Sequence, residues 1–81
     1  DEKTNLIKEI EFNQFGEAFS EKLNELDTKH KEVFTLRHME GLSIKEIAQI
    51  VQISEGTVKS RIFYATKQLA KLLKEYKTLT H

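Results

Sequence analysis

The sequence predicts an all-α fold, a small bundle of four helices, or five if its first segment stands alone, containing a helix-turn-helix. Three observations carry this expectation. Apolar residues recur at intervals of three and four rather than two, the helical period. The 81 residues contain no proline and show neither a low-complexity linker nor an internal repeat. Two helix-capping serines, Ser43 and Ser54, follow each other closely enough to bracket one short helix and a tight turn.

Each element has its own local reason. Leu6, Ile7 and Ile10, with Phe12 and Phe15 close behind, suggest a first apolar segment. Phe19, Leu23 and Leu26 mark one face of a second piece after Gly16, and periodicity leaves open whether the two form one bent helix. The next helix starts after Asp27 or Thr28 and runs to about Glu40, with Val33, Leu36 and either Phe34 or Arg37 on its inner side. Gly41 suits the left-handed residue that closes a helix. Ser43 and Glu46 form an S-x-x-E capping box, and Leu42 can staple onto Ile47 across it. A short helix, Ile44 to about Val51, then turns Ile47, Ala48 and Val51 inward. Only Gln52 and Ile53 separate it from Ser54, the next N-cap, with Ile53 and Val58 as a second staple. Helices joined by so short a turn must cross steeply, and the small Ala48 lets them approach.

In the last helix, Val58, Ile62, Ala65, Leu69, Leu72, Leu73 and Tyr76 fall in one sector, the core side. The opposite sector carries Gly56, Ser60, Phe63, Tyr64, Lys67, Lys71 and Lys74, with Lys59 and Arg61 on the flanks. A solvated face explains the lysines but not Phe63, which either packs against the turn or first helix, or reaches a partner. As a recognition helix in a major groove, its first turn (Glu55, Gly56, Thr57) would offer N–H groups to a phosphate. Lys59, Ser60, Arg61 and Phe63 would reach base edges or thymine methyls. Lys67, Lys71 and Lys74 would contact phosphates, adding affinity without sequence information.

Charge supports that orientation although the net charge is zero. Residues 1–32 hold nine acids against five bases, and residues 54–81 hold six bases against two acids. A dipolar chain of this kind can turn its basic end to nucleic acid. With no cysteine, there is neither a disulfide framework nor a thiolate metal site, which fits a reducing cytoplasm. No apolar run approaches the ~20 residues of a membrane span. His30, His38 and His81 show no metal-ligand spacing, and neither a Gly-rich phosphate loop nor a nucleophilic triad can be placed. Binding is expected, without catalysis, cofactor or metal. Asp1 in place of an initiator Met suggests a fragment of a longer chain.

Residues 33–69, "VFTLRHMEGLSIKEIAQIVQISEGTVKSRIFYATKQL", resemble region 4 of bacterial sigma factors of the extracytoplasmic-function (ECF) subgroup. The shared pieces are "VFTLR", "EGLSIKEIA", "ISEGTVKSRI" and the trailing Ala65 and Leu69, in that order and spacing. The resemblance implies a winged-helix-like region 4 domain over residues 23–77, with 1–22 a helical or linker segment and 78–81 a tail. It implies recognition of the promoter −35 element in double-stranded DNA by one copy of the domain, and docking on the β flap of RNA polymerase. In many such factors an anti-sigma protein covers these surfaces.

By motif position, the DNA contacts would come from Thr57, Lys59, Ser60, Arg61 and Phe63, and Ser54, Gly56, Tyr64, Lys67 and Lys71 complete the expected DNA-binding set. Val33, Phe34, Arg37 and Ile47 would meet polymerase or anti-sigma. Three positions depart from the pattern. Asp27-Thr28 stand where Leu-Pro is common, and Tyr64 where an arginine is frequent. Gln52 stands where many helix-turn-helix proteins place glycine, so a differently built turn is expected there. Two rivals remain. A LuxR-type effector domain shares "SIKEIA" before "TVK", but "SRIFYATKQL" fits sigma better. A sigma-like mimic that binds only proteins would have no need of a phosphate-facing helix.

Overall fold

A computed structural model describes residues 16–79, with side chains described through Glu75. The expectations for Leu6, Ile7, Ile10, Phe12 and Phe15, for the Tyr76 side chain and for His81 lie outside the described residues. Among the described residues there are four α-helices: α1 (16–24), α2 (Thr28–Phe34), α3 (Ile44–Val51) and α4 (Glu55–Leu79). No strand occurs among the described residues, so the likeness to a winged helix is confined to its helices.

Apolar sides of α4 organise the molecule into two clusters rather than one continuous core. Towards its N-terminus, Val58 packs with Val33 and Ile47, all fully enclosed, and Leu36, Leu42, Ile44, Ala48, Val51, Ile53 and Ile62 close around them. Further along, Ala65 and Leu69 pack with Leu23, Leu26 and Phe34, against which Phe19, Leu72 and Leu73 lie. The adjacent residues Val33 and Phe34 point into different clusters. Helix α2 is therefore a wedge, holding the helix-turn-helix on one side and α1 on the other. The inward faces expected for α3 and α4 are those observed.

Helix α2 starts where Asp27 and Thr28 predicted, although the Asp27 side chain makes no cap hydrogen bond. Its end departs from expectation. From Thr35 to Met39 the backbone widens into a π turn, closed by Glu40 N–H donating to the Thr35 carbonyl at 3.1 Å. Such turns are rare and short. The Leu36 carbonyl then accepts from Leu42 N–H at 3.1 Å, and Gly41 takes the left-handed conformation (φ 72°) that lets the chain reverse. Arg37 Nη1 donates to the Leu42 carbonyl at 2.8 Å, strapping this reversal.

At Ser43 the full capping box forms. Glu46 N–H donates to Ser43 Oγ, and Ser43 N–H donates to Glu46 Oε1, both at 3.1 Å. These hydrogen bonds favour the ionised carboxylate and hold Glu46 below its ordinary value of 4.5. A group depressed in the folded state contributes stability above its unfolded pKa and loses it as pH falls through the folded one. The cap is therefore expected to weaken from about pH 5 downwards. Thermal unfolding followed against pH should show a flatter acid limb for Glu46→Gln than for the parent.

The turn between α3 and α4 corrects one expectation. Gln52 does not build a different turn; it adopts the left-handed conformation itself, at φ 61° and ψ 49°. Its N–H closes α3 on the Ala48 carbonyl. A side chain in this region costs about 1–2 kcal/mol, of which glycine recovers only part because it loses more freedom on folding. Gln52→Gly is thus expected to stabilise the domain by up to about 1 kcal/mol. A rise in the urea midpoint at unchanged slope would show it.

Candidate nucleic-acid interface

The outer face of α4 begins at a well-defined cap. Ser54 Oγ accepts from Thr57 N–H at 3.1 Å and lies 2.8 Å from Thr57 Oγ1, with which it shares a second hydrogen bond. Val58 N–H donates to the Ser54 carbonyl at 3.0 Å. This limits the expected phosphate seat at the helix start. Thr57 is half-buried and its N–H is already engaged, so the open N–H groups of the first turn are those of Glu55 and Gly56. The role of Ser54 is first of all to hold the helix end in place.

Beyond the cap, the side chains sort as the periodicity predicts. Gly56, Lys59, Ser60, Lys67, Lys71 and Lys74 are exposed, and Arg61 is half-buried on the flank. Phe63 and Tyr64 are 61% and 55% exposed, so neither ring serves the core. Of the two alternatives for Phe63, packing against the turn or first helix is therefore the wrong one. Its ring meets Tyr64 edge-on at 5.4 Å between centroids. Exposed aromatics cost water contact unless a partner covers them, and bases or methyl groups can do so.

Tyr64 has a second neighbour that the sequence did not reveal. The ring of His30, from α2, stacks near it with centroids 6.5 Å apart and planes 26° from parallel. This pairing is made by tertiary packing, and no local signal in either segment announces it. His38 lies elsewhere, its ring 4.7 Å from that of Phe34. No group of His, Cys, Asp or Glu among the described residues could hold a metal ion.

The proposed partner contacts need correction. Val33 and Ile47 are completely enclosed and Phe34 nearly so, because all three fill the two core clusters. Their side chains cannot meet polymerase or an anti-sigma protein. Of the four residues only Arg37 is exposed, and its guanidinium is engaged with Leu42. The large apolar side chains exposed on this half of the molecule are instead Met39, at the end of the π turn, and Ile50, on α3.

The Sigma-70, region 4 family model matches residues 16–77, from the first described residue of α1 almost to the end of α4. The chain belongs to the sigma-70 region 4 family. This region 4 domain is 32% identical over 62 residues to the ECF RNA polymerase sigma factor SigW of Bacillus subtilis, covering 76% of the chain and 33% of that protein. It is 41% identical over 51 residues to the RNA polymerase sigma-H factor of Pseudomonas aeruginosa, covering 63% and 26%. It is 49% identical over 39 residues to the ECF RNA polymerase sigma-E factor of Haemophilus influenzae, covering 48% and 21%. The chain thus spans a third or less of the length of these relatives. The sigma-70 region 4 family is non-enzymatic. Among the described residues, no helix of this region 4 domain is long and apolar enough to cross a membrane.

Proposed function

We propose that this domain recognises the −35 element of bacterial promoters through α4 and docks on the β flap of RNA polymerase, directing transcription initiation in the cytoplasm. The observation that carries the reading is the outer face of α4, where exposed cations and the uncovered Phe63–Tyr64 pair follow a firmly capped helix-turn-helix. Lys59, Ser60, Arg61 and Phe63 would face base edges, and Lys67 and Lys71 the backbone. Ser54, Gly56 and Thr57 set the helix end against a phosphate, Gly56 through its open N–H. The binding unit would be residues 23–77, with 1–22, which include most of α1, leading into it and 78–81 trailing.

One copy would sit on one duplex element, without the paired half-sites that dimeric repressors use. Few contacts leave little surplus over the entropic cost of association, so the isolated domain should bind weakly. Tethering by polymerase would supply the missing local concentration. Contacts to the flap, or to an anti-sigma protein, would use exposed groups such as Met39, Ile50 and Arg37 rather than the enclosed Val33, Phe34 and Ile47. The test is duplex binding by the variant carrying both Lys59→Glu and Arg61→Glu. Loss of binding with the fold intact supports the reading, and unchanged binding refutes it.

A further inference from the structure

We propose that the groove between α2 and α4 seats a stretch of DNA backbone beside the recognition surface, and that His30 donates a hydrogen bond there to a phosphate oxygen. This rests on the reading of α4 as a DNA-contacting helix. The groove is open, about 520 Å³ in volume, with a mostly apolar floor, and is lined by His30, Tyr64, Lys67, Gln68, Lys71 and Leu72, with Glu75 at the far end.

Three observations point to a phosphodiester strand as the occupant. First, the groove continues the outer face of α4. Tyr64 joins the two, edge-on to Phe63 at 5.4 Å on one side and stacked near His30 at 6.5 Å on the other. Second, its polar tips are complementary to phosphate. Tyr64, Lys67, Gln68 and Lys71 form one stripe at intervals of three and four along α4, about 10 Å long. Every one of them can donate a hydrogen bond, and phosphate oxygens only accept. The single carboxylate, Glu75, lies a turn beyond Lys71 and bounds the stripe.

Third, His30 lines the groove from α2. Its Nδ1 is buried without a hydrogen-bond partner. With Nδ1 buried, Nε2 is the ring nitrogen left to donate into the groove, whose other donors come from α4. Among the groove-lining residues, His30 is the contribution of α2.

The experiment uses the 81-residue chain and a short, fluorescently labelled duplex of mixed sequence, with anisotropy titrations at several salt concentrations. Circular dichroism confirms the fold of each variant. His30→Ala is expected to weaken binding about three- to tenfold, the range of one hydrogen bond. His30→Phe keeps a ring beside Tyr64 but has no donor, and it should weaken binding as much. His30→Gln retains a terminal N–H donor and should bind within about twofold of the parent. Lys71→Gln should lower the salt slope by about one, as expected for a lost phosphate contact.

Parent-like binding by His30→Phe would overturn the phosphate contact, because the ring would then act only by positioning Tyr64. A loss in His30→Gln equal to that in His30→Ala would overturn the donor role. If all three His30 variants bind like the parent while the Lys59/Arg61 reversal abolishes binding, the proposal fails and the reading of α4 stands. The groove would then be left to another occupant, such as an acidic peptide. If the reversal has no effect either, the reading of α4 fails with it.

Discussion

Reversing two charges, Lys59→Glu together with Arg61→Glu, is expected to reduce duplex affinity by at least about a hundredfold at low salt. Each side chain stands to lose a favourable contact worth about 1–3 kcal/mol if it meets a base edge. Each also turns a phosphate attraction into a repulsion, and the counterion-release term falls with the number of cations engaged. Lys59 is exposed and tolerates the change. Arg61 is half-buried, so the unfolding midpoint must be measured beside the affinity. Lost binding at an unchanged midpoint locates the effect in the interface. Increasing salt should narrow the difference between parent and variant, because the electrostatic part is screened.

Ile47→Ala is expected to produce the largest loss of stability of any single substitution in the helix-turn-helix. Ile47 is fully enclosed between Val33 and Val58 and links α3 to both α2 and α4. Truncating an enclosed isoleucine to alanine costs about 2–5 kcal/mol, from lost transfer energy and the cavity left behind. A domain of this size holds only about 4–12 kcal/mol in total. The variant should therefore be partly unfolded near body temperature, and urea denaturation would show a midpoint lowered by a third or more. Ile50→Ala on the same helix is the control. Ile50 is 59% exposed, and its truncation should change stability by no more than about 0.5 kcal/mol.

Much of this architecture was legible because its determinants are local. The Ser43–Glu46 box, the Ser54 cap and the left-handed Gly41 are each decided by a few neighbouring residues and the backbone groups they satisfy. The inward and outward faces of α4 follow from helical period alone, and with them the exposure of Lys59, Phe63 and Tyr64. What period cannot tell is which neighbour a face meets. Val33 read as inward and Phe34 only as an alternative to Arg37, yet both are buried, in different clusters, and the wedge role of α2 appears only once α1, α3 and α4 are assembled around it.

The misreadings have the same origin. Val33, Phe34 and Ile47 were candidate partner contacts by motif position, but apolar residues in a small domain are claimed first by its core. Gln52 was expected to change the turn because it lacks glycine's freedom. The packing of α3 against α4 instead forces the left-handed conformation on it. The π turn from Thr35 to Met39 has no local signature, and Thr35 Oγ1 is buried there without a hydrogen-bond partner. His30 was set aside for want of metal-ligand spacing, and nothing in its own helix reveals that Tyr64 lies opposite.

The central claim is that the outer face of α4 reads DNA. Its most direct test is a ¹H–¹⁵N NMR titration of the 81-residue chain with a pool of randomised duplexes at low salt. Amides from Glu55 to Lys71 should shift, and the shifts should fade as salt is added. Shifts confined to residues N-terminal to Gly41, or none at all, would contradict the claim and leave the basic face of α4 without DNA as its partner.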